Sequence, residues 1–206
     1  MKRIEIHPVN PQPRLIRQVA EQFQTGALVA LPTDASYVLA CHLEDRTAVD
    51  RMRQLRGIDE KHLLTLLCRD LSELSQYAQV DNRQFRFLKE WTPGAYTFIL
   101  PATREVPRRL MHPSRKTVGL RVPEAHIVQA LLAELGVPLL CASLILPGDE
   151  DPLSDPDDIE DRIGKRIDLL VDGGAGQLEA TSVIDVTGDE PVIQRVGLGP
   201  VEAMLR

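Results

Sequence analysis

The chain has 206 residues, 43% of them hydrophobic and 26% charged, with a formal net charge of -6. That length suits one substantial core, and the composition excludes disordered, fibrous and membrane classes. Because the net charge is negative, non-specific coating of nucleic acid is disfavoured and any phosphate binding has to rest on a local basic patch.

The start Met1-Lys2-Arg3-Ile4-Glu5 is basic but never enters the apolar run of a signal peptide, and no later segment is long and apolar enough to span a bilayer. A cytoplasmic protein is expected. Leu15, Ile16, Val19, Ala20 and Phe23 recur at helical spacing, which predicts a helix over 11–24 stopped by Gly26. Ala27 to Leu31 reads as a buried strand that delivers Thr33 and Asp34 to its carboxyl end, and Ser36 to Cys41 as a second. A helix over 47–55 carries Arg51 and Arg53, with Arg56 just before a stop at Gly57. Leu63 to Leu67 is the next strand. Asp70 with Glu73 predicts a capped helix through Ala78, followed by another over 82–91. Thr92-Pro93-Gly94 breaks the chain before strands at Tyr96 to Leu100 and Thr117 to Val122. A helix over 125–135 with stop Gly136 leads to a strand at Leu139 to Ala142, and further strands fall at 167–171, 182–186 and 192–195.

These elements alternate as α/β layers, but the last three strands have no long helices between them. The expectation is therefore one domain with a mixed parallel and antiparallel sheet and helices packed on it. The nearest thing to a boundary is 147–161, a Pro-punctuated acidic stretch that reads as exposed surface; a basic protein partner is one use for it.

Cys41, Cys68 and Cys141 are odd in number and far apart, and no His stands near them at metal-ligand spacing, so they read as reduced, buried strand residues with no metal site. Thr33 and Asp34, fixed by Pro32 beside a buried strand, either hold a polar ligand or close a turn in which Asp34 satisfies backbone groups. Arg104, Arg108, Arg109, Arg115 and Lys116 form a basic segment with Glu105 as its one acid, either a phosphate-binding rim or a solvated loop. Arg121 differs from these, because it alternates with Leu120 and Val122 and so projects from one face of a strand. No Gly-x-Ser-x-Gly elbow is present, and Gly173-Gly174-Ala175-Gly176 lacks both the Walker lysine and Rossmann spacing, so it reads as a glycine turn between strands.

Leu31-Pro32-Thr33-Asp34-Ala35-Ser36-Tyr37, Thr92-Pro93-Gly94-Ala95-Tyr96-Thr97 and Val118-Gly119-Leu120-Arg121-Val122-Pro123 occur in an order that resembles the YrdC/YciO family. Cys68 to Ser75, Val106 to Leu110 and Ser182 to Asp185 draw the likeness closest to the YciO branch. The resemblance implies a YrdC-like twisted sheet with an open, concave, positively charged cleft. It also implies a threonylcarbamoyl-AMP synthase-like activity in tRNA threonylcarbamoyladenosine modification: condensation of threonine, bicarbonate and ATP, with Mg²⁺, and release of pyrophosphate. By the same resemblance Thr33 and Arg121 would contact the amino acid, Thr97, Ser182 and His62 would lie at the substrate pocket, and Ser143 and Arg195 would bind ATP. Two motifs depart from the synthase pattern. Lys-x-Arg becomes Arg53-Gln54-Leu55 with Arg56 displaced by one, leaving Arg53 or Arg56 to take the charge role; Ser-x-Asn becomes Ser143-Leu144-Ile145. Losing an amide at a phosphate site costs about 1–3 kcal/mol, so weak synthase activity is one expectation. The other is a non-catalytic binder of double-stranded RNA or tRNA through the basic segment, reading shape and backbone because the 4% aromatic content leaves few stacking platforms.

Overall fold

The apolar spacing near the amino terminus produces helix α1 (Pro13–Gln24), which buries Ile16, Val19, Ala20 and Phe23 and gives way at Gly26, a left-handed residue at φ 89°. In the computed structural model, which describes residues 1–206, five further helices follow: α2 (Arg46–Arg56), α3 (Leu71–Tyr77), α4 (Asn82–Trp91), α5 (His126–Leu135) and α6 (Pro156–Ile163). Their ends carry the expected signals. Asp45, Asp70, Asp81 and Asp155 accept backbone N–H groups at four N-caps, and Gly57 and Gly136 turn left-handed at two C-caps.

Ten strands join in one sheet: β1 (Lys2–Glu5), β2 (Val29–Leu31), β3 (Val38–His42), β4 (Thr65–Leu67), β5 (Tyr96–Pro101), β6 (Thr117–Arg121), β7 (Leu139–Ser143), β8 (Leu169–Asp172), β9 (Ser182–Asp185) and β10 (Val192–Arg195). Their order is β1-β8-β2-β3-β7-β4-β6-β5-β9-β10. The pairs β1/β8, β2/β8, β4/β6 and β5/β9 are parallel and the others antiparallel, so the sheet is mixed as the strand-rich carboxyl-terminal half implies.

The two faces are covered unequally. One face, with α2, α3, α4 and α6 packed on it, holds a core of 38 buried residues that includes Met52, Leu55, Leu88 and Ile159. On the other face α1 and α5 pack together over β1, β8, β2, β3, β7 and the Leu67 end of β4 in a core of 19, which leaves the β6-β5-β9-β10 part of that face and the Thr65 end of β4 bare of helices. Each large apolar side chain buried in these cores contributes about 1.5–3 kcal/mol, so it is the placement of the helices that decides where a cleft survives.

Two elements lie outside the sequence expectation. Strand β1 is short and mostly polar; it holds the sheet edge through Lys2 N–H to Asp168 O (3.0 Å) and Ile6 N–H to Asp172 O (2.9 Å). Helix α6 lies inside the stretch read as exposed acid, because Asp155 caps it, Pro156 starts it, Asp157 and Asp158 favour its positive end, and Ile159 and Ile163 enter the large core. Some of the acids there are paired: Asp157 and Glu160 meet Arg3, and Asp149 meets Arg162. Leu146 and Leu153 are buried as well, so this segment is part of the domain and not a boundary.

The three cysteines are free and buried on β3, on β7 and just after β4; burial pushes the Cys141 thiol up to about 12 and raises the other two, which makes all three poor nucleophiles. The glycine run packs against Tyr37, whose hydroxyl donates to Gly174 O (2.7 Å) and accepts from Gly173 N–H (3.2 Å). A side chain at Gly176 would stand 2.9 Å from the Tyr37 ring. No helix is long and apolar enough to cross a membrane.

Candidate functional site

The period of two along β6 sends Val118 and Leu120 into the large core and Thr117, Gly119 and Arg121 to the opposite face. Gly119 lies opposite Thr65 on β4 and Ile99 on β5, and Thr97 opposite Val183 on β9, so these residues share the uncovered face. They floor a cavity of about 180 Å³ whose walls include Arg56, His62, Leu63, Ser143, Thr181 and Arg195. Gly119 is a spatial requirement, since a Cβ there would stand 2.9 Å from Thr65 Oγ1 and 3.3 Å from Thr97 Cγ2. Thr97 and Thr181, both buried, share a hydrogen bond of 2.7 Å between their hydroxyls. Arg195 is held from below, donating through Nε and Nη2 to the Thr181 carbonyl (3.1 and 2.8 Å).

Arg56 comes from the last turn of α2 and donates to the Ile145 carbonyl, while its buried Nε has no partner. Burial and the neighbouring charge of Arg195 lower the Arg56 pKa, and burial lowers that of Arg195. His62 sits on the rim of the cavity; partial desolvation, with Arg56, Arg53 and Arg195 nearby, pushes its pKa below the ordinary 6.5. No carboxylate pairs with Arg53, Arg56 or Arg195. The cavity therefore combines hydroxyls on its floor with uncompensated cations on its wall, an arrangement suited to phosphate oxygens. It has no carboxylate lining, and no group of three His, Cys, Asp or Glu residues that could hold a metal occurs in the chain. These residues do not fit a protein-held Mg²⁺ site.

Of the residues singled out in the sequence, His62, Thr97, Ser143, Arg195 and Arg56 are brought together here. Arg53 lines a different cavity, with its Nη1 donating to Asp59 O (2.6 Å). Ser182 points the other way, because it alternates with the cavity-lining Thr181 and Val183; its buried Oγ donates to Gly199 O and accepts from Gly197 N–H (2.9 Å), pinning the chain after β10. Thr33 and Arg121 form a separate buried cluster. Arg121 donates to Asp34 and to Thr33 Oγ1 (3.0 Å), and Asp34 also accepts the Glu124 N–H (2.9 Å) from the segment after β6; the turn itself is closed by Thr33, whose Oγ1 accepts the Ala35 N–H (3.0 Å) and donates to Ser36 O (2.8 Å). In the basic segment Arg104, Arg108, Arg115 and Lys116 are exposed, whereas Arg109 turns inward and donates to Leu43 O (3.0 Å). Thr65, Gly119 and Thr181 escaped the sequence reading. The signal for Thr65 was a single hydroxyl inside the otherwise apolar run Leu63 to Leu67.

The family model Sua5/YciO/YrdC, described as "Telomere recombination", matches residues 21–197. The chain belongs to the Sua5/YciO/YrdC family. Escherichia coli YciO, itself described as uncharacterized, is 51% identical over 200 residues that cover 97% of each chain. The E. coli YciO crystal structure superposes with a TM-score of 0.96, covering 99% of this chain and all of that one. The threonylcarbamoyl-AMP synthase of Vibrio vulnificus is 26% identical over 184 residues, 87% of this chain and 97% of its own. P. abyssi Sua5 crystallised with L-threonine is likewise 26% identical, with a TM-score of 0.90 over 99% of this chain and 60% of that one. Family membership and fold are thus shared with the synthases at a distance and with YciO closely.

Proposed function

We propose that the cleft binds ATP and threonine and acts as a threonylcarbamoyl-AMP synthase-like nucleotidyltransferase of tRNA modification. The observation that carries this reading is the pair Arg56 and Arg195, two guanidiniums without a carboxylate, the first half-buried and the second at the surface, set beside the hydroxyls of Thr97, Thr181 and Ser143. The likeness to the Vibrio vulnificus synthase and to threonine-bound Sua5 supports it.

In the reaction the threonine amine and bicarbonate form a carbamate with loss of water. A carbamate oxygen then forms a bond to the α-phosphorus of ATP as the bond from that phosphorus to the β-bridging oxygen breaks, and pyrophosphate leaves with the electron pair. Mg²⁺ carried by the nucleotide would supply charge neutralisation there, since no side chain of the cavity would hold it. Arg56 and Arg195 offset the remainder on the transferring and leaving groups, and the cavity hydroxyls fix the reactants in line. No general base is needed once the carbamate has formed. Ile145 supplies only its carbonyl, already taken by Arg56, where the synthase pattern has an amide side chain, so turnover is slow. ATP as a reactant, and tRNA as the acceptor of the later transfer, would place the protein in the cytoplasm.

The test is pyrophosphate release and labelled threonylcarbamoyl-AMP from purified protein given threonine, bicarbonate and Mg-ATP. Product is expected above the level of an Arg195→Ala variant, and its absence would remove the synthase reading.

A second reading is favoured by the loop between β5 and β6, where Arg104, Arg115 and Lys116 are exposed and meet no carboxylate. There the protein holds duplex RNA or tRNA by its phosphates without turnover. RNA affinity should then fall steeply with salt and with Arg104→Gln/Arg115→Gln; an affinity indifferent to both would exclude it.

A further inference from the structure

Behind the cleft, the outer stripe of α2 faces the 3-10 turn Arg108–Leu110. Positions 46, 49, 50 and 53 fall at i, i+3, i+4 and i+7 and so share one side of the helix. Val49 on this stripe and Leu110 on the turn are both buried, which holds the two elements in place. Between them lies a cavity of about 300 Å³ lined by Arg46, Arg53, Arg108 and Arg109 together with Asp50 and Glu60.

Four arginines against two carboxylates leave two formal positive charges. None of the six forms an ion pair, although they share one cavity. Independently, Arg109 is committed on one side only: its Nη2 donates to Leu43 O (3.0 Å), while its buried Nη1 has no partner at all. A buried donor left without an acceptor is costly, so a small shift of the Arg109 side chain that brings Nη1 to an oxyanion in the cavity is favoured. Arg46 and Arg108 are exposed and form no side-chain hydrogen bonds, so their guanidinium forks are free to close over a bound group. At about 300 Å³ the cavity has room for a diphosphate with part of its hydration.

We infer that this cavity is a second anion site, distinct from the cleft, that takes a small polyanion of the inorganic pyrophosphate class between α2 and the Arg108–Leu110 turn. It needs no turnover in the cleft and does not depend on the reading given above. Guanidinium forks bind phosphate oxygens in pairs, and two forks from each side match two phosphate groups better than one. The same surface could instead meet phosphodiesters of an RNA strand, and that alternative is separable by experiment.

The experiment is calorimetric titration of the full chain with inorganic pyrophosphate, with Arg195→Ala as background to remove binding in the cleft. One pyrophosphate per chain is expected to persist in Arg195→Ala. Its affinity should weaken by about tenfold or more when Arg46→Gln and Arg108→Gln are added, and should weaken with rising salt. Both substituted arginines are exposed, so an unchanged melting temperature will show that the loss is not unfolding. Inorganic phosphate should bind more weakly than pyrophosphate at the same site. The inference fails if Arg195→Ala abolishes all pyrophosphate binding, or if the residual binding is indifferent to Arg46→Gln/Arg108→Gln. It fails equally if these two substitutions weaken only the retention of duplex RNA, since the cavity would then be a contact for a polymer backbone.

Discussion

Thr97 and Thr181 are joined hydroxyl to hydroxyl at 2.7 Å on the floor of the cleft, and Thr181 in turn holds Arg195 through its carbonyl. This links a buried pair to the orientation of a surface cation. Thr181→Val keeps the shape but leaves the buried Thr97 hydroxyl without its partner, which should cost about 1–3 kcal/mol in urea unfolding. Thr97→Val/Thr181→Val removes both polar groups and should recover most of that loss. If the double variant is as unstable as the sum of the single ones, the two hydroxyls are not coupled.

Gly119 sets the depth of the same floor. A Cβ at that position would press on Thr65 Oγ1 at 2.9 Å and on the Leu64 carbonyl at 3.2 Å, and that carbonyl is held just before β4 by the Gly119 N–H (3.3 Å). Gly119→Val should therefore destabilise the protein by about 1–3 kcal/mol through overpacking, and should also fill the cavity. In titrations with Mg-ATP, Gly119→Ala is expected to bind more weakly than wild type, and Gly119→Val not measurably. Unchanged ATP binding in Gly119→Val would place the nucleotide elsewhere.

Most of the layer order could be read from the chain because apolar periodicity and cap residues act locally: Gly57, Gly136 and Asp70 end or begin helices where expected. Strand β1 could not be read that way, since a four-residue polar edge strand is fixed by pairing with β8, 167 residues further on at Lys2 and Leu169. Helix α6 was masked by its own acids, although Asp155-Pro156 is a start signal and Ile159 and Ile163 are four apart. In the site, strand alternation already separated Arg121 from its apolar neighbours. It gave no warning that Asp34 and Thr33, 87 and 88 residues away, would occupy that guanidinium. Ser182 shows the reverse problem, for a hydroxyl one residue out of phase with the cleft is as conspicuous in sequence as one in phase.

Arg121 and Asp34 make a nearly enclosed ion pair, with side chains 4% and 12% exposed. Removing the cation while keeping the carboxylate leaves an uncompensated buried charge. Arg121→Met is thus expected to destabilise the fold by about 3–5 kcal/mol, and Arg121→Met/Asp34→Leu by less than Arg121→Met alone. Chemical denaturation of the three proteins decides this. Loss of threonine binding in an Arg121→Met protein of undiminished stability would instead return Arg121 to the direct substrate contact implied by the family resemblance.

His62 offers a test of the cleft that does not require turnover. Desolvation and the charges of Arg56, Arg53 and Arg195 hold its folded pKa below the unfolded value of 6.5. Above pH 6.5 the imidazole is neutral whether the chain is folded or not, and its contribution to stability is complete. As pH falls below 6.5 the unfolded chain takes up a proton that the folded chain refuses, so this contribution declines until pH reaches the lowered folded pKa, where the decline stops. His62→Gln should flatten the stability profile over that window and leave the rest unchanged. A phosphate seated beside Arg56 and Arg195 reverses the local field and raises the His62 pKa, so ATP binding should take up protons and tighten as pH drops from 7 toward 6. Calorimetry in buffers of different ionisation enthalpy measures that uptake directly. Proton uptake that persists in His62→Gln would show that the imidazole does not sense the anion, and the assignment of this cavity to the nucleotide phosphates would lose its electrostatic basis.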